Sequence, residues 1–132
     1  MNSVTQTLTE NEISRLVIGE AIHVHQSLGP GLLESVYEEC LIHRLIQSGL
    51  AIERQKPIPL VFEGIKLECG FRCDIVVAGK VLIEIKAVEA LHDIHTAQTL
   101  TYLKLTGIKL ALLINFNAVL LKDGVKRIVN NL

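Results

Sequence analysis

Tryptophan is absent from this chain, and aromatic side chains make up only 4% of it. A platform that stacks the bases of a single strand needs several aromatic faces, so that mode of nucleic-acid binding is not expected. No basic surplus is present either. The formal net charge is -1, which counts against tight non-specific adhesion to a phosphate backbone but leaves room for a local positive site. Cysteine is scarce and odd in number: Cys40, Cys69 and Cys73 have no zinc-like spacing with histidine, and a structural disulfide is not expected. Cys69 and Cys73 read instead as small apolar residues in or beside strands. Although 49% of the residues are hydrophobic, no apolar run reaches the roughly 18 residues that cross a bilayer. The first residues, Met1 to Gln6, lack the basic and apolar regions of a signal peptide. These absences predict a cytoplasmic protein with no membrane partner, a dense core and an oligomeric surface. The length of 132 residues predicts one domain over 1–132, with 1–8 a flexible N-terminus.

What is present is a change of hydrophobic period part-way along the chain. Thr9-Glu10-Asn11-Glu12 has the form of a capping box. Ile13, Leu16, Val17, Ala21, Val24 and Leu28 then recur at helical spacing, and Gly29-Pro30-Gly31 ends that helix. A second helix is predicted from about Leu32 to Gln47, with Leu33, Val36, Tyr37, Cys40, Leu41 and Leu45 on its apolar side and Ser48-Gly49 as its stop. His23-Val24-His25 reads as an exposed helix side. From Ala51 the chain reads as extended: Ile52 to Gln55, Ile58 to Phe62, Lys66 to Val77 and Val81 to Lys86. A third helix is predicted over about Leu91 to Leu105, broken by Gly107. Ile108 to Asn115 is an almost continuous apolar strand, the pattern of burial on both faces. Val119 to Leu121 and Val125 to Val129 read as edge strands. The third helix lies between two strands as in a βαβ unit, which would make Val81–Lys86 and Ile108–Asn115 parallel. The order predicts an α/β fold, a mixed sheet flanked by helices.

The chemistry concentrates at one hairpin. Phe71-Arg72-Cys73-Asp74-Ile75-Val76-Val77 and Val81-Leu82-Ile83-Glu84-Ile85-Lys86 are joined by the tight turn Ala78-Gly79-Lys80. Glu84 and Lys86 share one face of the pleat. Asp74, on the partner strand, would bring a second carboxylate close to Glu84. Two carboxylates forced together in a low-dielectric sheet repel, and a divalent cation relieves that repulsion. Mg²⁺ or Mn²⁺ on Asp74 and Glu84, with the carbonyl of Ile85, would suit a hard cation that keeps several waters. Lys86 would set an ammonium beside a coordinated water and stabilise charge on a phosphate. Glu34, in the first turn of the second helix, is a further candidate ligand. Helix-dipole stabilisation accounts for an acid there equally well, and Glu38 one turn on competes for the same role. Asp74 has an alternative partner in Arg72, and Glu84–Lys86 has one as a surface ion pair.

Asp74 followed by a hairpin and Glu84-x-Lys86 resembles the signature of the PD-(D/E)xK nuclease superfamily. Gln98-x-x-x-Tyr102 is similar to a motif of its RecB-like and exonuclease branches. Gly31-Leu32-Leu33-Glu34-Ser35-Val36-Tyr37-Glu38 resembles the motif that names the small bacterial GxxExxY family. With Gln55, Gly70 to Asp74 and Leu113-Ile114-Asn115-Phe116, the resemblance spans roughly residues 10 to 130. Cys73 stands where the superfamily name has proline. The resemblance implies a restriction-endonuclease-like αβββαβ core and a phosphodiesterase site of Glu34, Asp74, Glu84 and Lys86, supported by Gln98 and Tyr102.

Two function classes follow. The first is a Mg²⁺- or Mn²⁺-dependent nuclease acting on nucleic acid, DNA foremost. It has no helix-turn-helix, zinc finger or basic arm for reading bases. The second is a nuclease-fold binding or assembly module without catalysis. A homodimer or a partner protein would help so small a chain surround a strand. His92 and His95, at i and i+3, have no third ligand to complete a zinc site. From the helix start, His92 would be able to approach substrate. Lys122, Lys126 and Arg127 read as a charged edge strand, with phosphate contact as the alternative.

Overall fold

A computed structural model of the protein describes residues 8–68 and 70–132. The expected flexible N-terminal segment and the reading of Cys69 therefore fall, apart from Leu8, outside the described residues. Helix α1 (Glu10–Leu28) opens on the anticipated capping box: the Glu12 N–H donates to Thr9 Oγ1 at 3.1 Å and the Thr9 N–H donates to Glu12 Oε1 at 2.9 Å. Ile13, Val17, Ala21 and Val24 form its buried stripe, while Leu16 and Leu28 are exposed. Helix α2 (Glu34–Gln47) begins later than its apolar pattern suggests. Leu33 is its extended N-cap residue and is 73% exposed, and Val36 is also exposed. The inward face is Tyr37, Glu38, Leu41, Ile42 and Leu45.

Five strands form the main sheet: β1 (Ile52–Pro57), β4 (Arg72–Val77), β5 (Val81–Lys86), β6 (Leu110–Asn115) and β7 (Val125–Val129), in that spatial order. Helix α3 (Asp93–Thr106) crosses from β5 to β6, and those two strands pair in parallel, as the βαβ reading requires. The other pairings are antiparallel. The order α2, β1, β4, β5, α3, β6 supplies the restriction-endonuclease-like αβββαβ core.

Side-chain alternation splits the core between the two faces of the sheet. Ile75, Val77, Val81, Ile83, Ile85, Leu110, Leu112 and Ile114 pack against α1 and α2. Val76, Leu82, Ala111 and Leu113 pack with Tyr102 and Leu103 of α3. Every residue of β6 is buried, so the continuous apolar run has its physical reason: helices cover both faces. Each fully buried aliphatic side chain there contributes about 1.5–3 kcal/mol of transfer free energy.

Three expectations are corrected. The predicted strand Lys66–Val77 is interrupted. Its first part is β3 (Ile65–Leu67), which pairs only with β2 (Leu60–Phe62) in a separate hairpin, and Gly70, at φ 75°, turns the chain before β4. The predicted edge strand Val119–Leu121 is absent among the described residues. Val119 and Leu120 are exposed and a 3-10 turn (Leu121–Gly124) follows, because the chain must reverse from β6 into antiparallel β7. His25 is buried, not exposed. Its Nε2 lies 2.7 Å from the carbonyl of Ala118, so this histidine ties α1 to the reversing segment. Tyr37, on the apolar side of its helix as expected, donates to Gly29 O at 2.6 Å and stacks on Phe116 with ring centroids 4.6 Å apart.

Gly124 closes that reversal against the end of β6. A Cβ there would meet the backbone oxygen of Asn115 at 2.4 Å and the Ala118 side chain at 3.0 Å. Backbone cannot yield as a side-chain tip does, so Gly124→Ala is expected to cost about 2 kcal/mol. Urea unfolding of the two proteins checks this, and an unchanged midpoint would refute it.

Candidate active site

The β4–β5 ladder runs from Val77↔Val81 to Ile75↔Ile83 and stops. One further step in the same register would set Asp74 opposite Glu84. There the strands part. β4 stays with β1 as far as Pro57↔Arg72, while β5 stays with β6 as far as Lys86↔Asn115. Side chains replace the missing ladder bonds. The Asp74 N–H donates to Glu84 Oε2 at 2.9 Å, and the Ile85 N–H donates to Asp74 Oδ2 at 2.7 Å. Each acid thus caps backbone on the opposite strand, and the two carboxylates are held at one opening in the sheet. Asp74 does not pair with Arg72, whose guanidinium donates instead to Gln55 O at 3.2 Å.

The opening lets helices from both faces reach the same pair. From α2, Glu38 is buried, and both its oxygens accept from Gln55 Nε2, at 3.1 and 3.0 Å. The same nitrogen lies 3.4 Å from Asp74 Oδ1. Glu34 is exposed at the helix start, with Oε2 3.4 Å from the Ala87 N–H just beyond Lys86. From α3, Tyr102 is buried, and the charges of Glu84 and Asp74 add to burial in raising its hydroxyl's pKa. Gln98, one turn earlier, is exposed and makes no hydrogen bond to the site among the described residues. His95 Nδ1 accepts from the His92 N–H at 3.0 Å, so these two histidines cap the helix start.

Electrostatics follow the geometry. Burial, then repulsion from Asp74, pushes the Glu84 carboxyl up to about 8. Burial also raises Asp74, opposed by its hydrogen bonds from Ile85 and Gln55 and by the charge of Lys86. Lys86 favours ionisation of both acids, so its half-buried ammonium lies in their shared field. Glu38 is raised by its own burial. Sequence reasoning gave Gln55 no role. Its signal in the structure is a left-handed φ of 49° in a strand, a conformation that costs a non-glycine residue about 1 kcal/mol.

A model of the PD-(D/E)XK nuclease superfamily matches residues 11–128. The chain belongs to that superfamily. Neither a curated protein nor a solved structure matches it. PD-(D/E)XK nucleases generally use divalent metals, and the donor set here suits one. Glu84 Oε1 accepts no hydrogen bond among the described residues, on a side chain that burial and its neighbour drive toward protonation. A cation beside that oxygen would favour the ionised carboxylates and so oppose the rise that burial and repulsion cause in Glu84 and Asp74. Among the described residues no three His, Cys, Asp or Glu side chains gather tightly enough to enclose an ion alone. Mg²⁺ asks for less, being held by one or two carboxylates and completed by water.

The metal-free protein carries a sign-specific consequence. The unfolded chain releases the Glu84 proton near the ordinary value of 4.5, whereas the folded chain keeps it until about pH 8. Folding therefore favours the protonated form, and stability is lost as pH rises through this window. In EDTA, urea unfolding is expected to show a loss of ~3 kcal/mol between pH 5 and pH 8 from this group. Glu84→Gln should remove most of that slope. An equally steep decline in the variant would place its origin elsewhere.

Proposed function

We propose that this PD-(D/E)XK protein is a divalent-metal-dependent nuclease that hydrolyses phosphodiester bonds of nucleic acid, with DNA the foremost substrate. We assign it to the GxxExxY branch on Gly31, Glu34 and Tyr37. The observation that carries the reading is the reciprocal capping of Asp74 and Glu84 at the parting of β4 and β5, with Lys86 in their field. Asp74, Glu84 and the Ile85 carbonyl would hold Mg²⁺ or Mn²⁺. The helix carboxylates, Glu34 and Glu38, stand on the α2 side of the same opening. A bound divalent cation would lower the pKa of a water and neutralise phosphate charge.

The remaining work falls to side chains of this chain. The Lys86 ammonium stabilises the charge that grows on a non-bridging phosphate oxygen and orients the attacking water. The Tyr102 hydroxyl, brought from α3 towards the acidic pair, hydrogen-bonds the phosphate and fixes its position. Gln98, one turn before Tyr102 on the same helix, would hold a ligand carboxylate or Lys86 once the site is loaded. The single-domain reading of 1–132 accompanies this proposal.

A second reading, a nuclease-fold binding or assembly module without catalysis, draws on Val119 and Leu120, which are 82% and 57% exposed and line one recess with Ile22 and Pro30. Apolar surface of that kind suits a partner protein or a second copy of the chain. One assay separates the two. With Mg²⁺ or Mn²⁺ and single- and double-stranded DNA and RNA, the protein should cleave at least one substrate. EDTA should abolish cleavage, and Lys86→Ala should slow it by about 10²-fold or more while leaving the thermal midpoint in place. Cleavage equal in Lys86→Ala would mark a contaminant, and none by the wild-type protein would leave the binding module.

A further inference from the structure

Gln55 sits where β1 should continue its ladder with β4. Arg54↔Ile75 and Lys56↔Cys73 are paired on either side of it, yet Gln55 and Asp74 are not. The reason is local. At φ 49° the residue leaves the pleat, and the break is braced by the Arg72 guanidinium donating to its carbonyl. Left-handed backbone in a strand is unfavourable for a side chain with a Cβ, and a residue is kept there when its placement is used. What the kink achieves is visible in the contacts. The Gln55 amide nitrogen faces three carboxylate oxygens: both of Glu38, at 3.1 and 3.0 Å, and Asp74 Oδ1 at 3.4 Å.

That amide is a neutral bridge between two acids on different elements. Glu38 belongs to α2 and Asp74 to the sheet; the packing of Tyr37, Leu41 and Leu45 sets where the helix lies, and the Gln55 amide sets how the two carboxylates face each other. Arg54, the adjacent cation, turns towards the outer helix acid Glu39, at 2.5 Å, and stands 3.8 Å from Glu38. A guanidinium in the place of the Gln55 amide would neutralise the acids and compete with a cation. An amide orients them and leaves their charge in place.

We propose that Gln55 is a positioning residue that locks Glu38 of α2 to Asp74, making Glu38 the helix carboxylate that faces the cation and phosphate site. This inference rests on the nuclease reading for the identity of the ligand, but not for the lock itself. Glycine removes both the strain and the amide, so Gln55→Gly separates the two roles. A residue kept for stability would lower the thermal midpoint when replaced; a strained residue kept for positioning would not.

The test uses the intact protein and Mn²⁺ alone as the probe. Calorimetric titration of Mn²⁺ should give roughly tenfold weaker binding in Gln55→Gly and in Glu38→Gln, with little further loss in the double variant, since the two act as one unit. The thermal midpoint of Gln55→Gly should equal or exceed that of the wild-type protein. A lowered midpoint with unchanged Mn²⁺ affinity would overturn the proposal. If the wild-type protein takes up no Mn²⁺, the metal reading fails, and the lock is then decided without metal by the NMR signals of the Gln55 side-chain amide. These should shift in Glu38→Gln and in Asp74→Asn and stay in place in Glu39→Gln. Signals indifferent to Glu38 and Asp74 would overturn it.

Discussion

Two hydrogen bonds exchanged between opposite strands hold the candidate site together. Where β4 and β5 cease to pair, backbone N–H groups would be left without partners in a low-dielectric layer, which is costly. Asp74 and Glu84 accept from Ile85 and Asp74 respectively, so acidic side chains do the work of absent carbonyls. One device satisfies the backbone and presents two carboxylates. A polar but uncharged replacement could cap the same N–H groups, so the choice of acids is not explained by satisfying the fold alone.

The rest of the structure can be read as support for that opening. On one side, β5 and β6 form a parallel pair buried by helices on both faces. Lys86 and Asn115 end this pair together. The Asn115 side chain then clasps the chain beyond Lys86, accepting from the Val88 N–H at 3.1 Å and donating to its carbonyl at 2.9 Å. On the other side, β1 and β4 carry Gln55 and Asp74. Above the opening, Tyr37 stacks on Phe116 and ties down the Gly29–Leu32 turn, which fixes where α2 begins and hence where Glu34 and Glu38 lie. The glycine-rich turn and the tyrosine of that motif are therefore structural partners of its glutamates.

Much of this arrangement was legible in the sequence because it depends on period. Alternation in Val81–Lys86 placed Glu84 and Lys86 on one face. The long apolar run of β6 announced a central strand, and the helix between them implied a parallel crossover. The capping box at Thr9 and the stop at Gly49 were likewise local and readable. The failures share a different cause. The Ile65–Leu67 hairpin, the reversal at Val119 and the burial of His25 are decided by tertiary contacts, which periodicity does not report. Glu38 is the instructive case at the site. Glu34 and Glu38 lie on one helix side, and nothing local distinguishes them. Only the docking of α2 on the sheet buries the second and leaves the first exposed. Gln55 entered only as part of the family resemblance, and its role went unread for a similar reason, since a left-handed kink in an extended segment leaves no trace in a strand pattern.

The placement of cost in this molecule has a direction. Unfavourable terms gather within a few residues of each other: a left-handed glutamine, an interrupted ladder, and carboxyls raised by burial and mutual repulsion. Elsewhere the left-handed residues that are not glycine, Glu63, Ala78 and Asn131, lie outside the strands, β6 is buried along its whole length, and ion pairs such as Arg44–Glu20 sit at the surface. A protein selected only to fold would relax these terms one at a time, since each has a simple remedy in glycine, amide or alkyl side chains. Their concentration at the end of the sheet, with Lys86 alongside, is what a site prepared for a cation and a phosphate requires. A scaffold with surface salt bridges would instead scatter its charges into water, where repulsion between them is weak and nothing needs to be held in place.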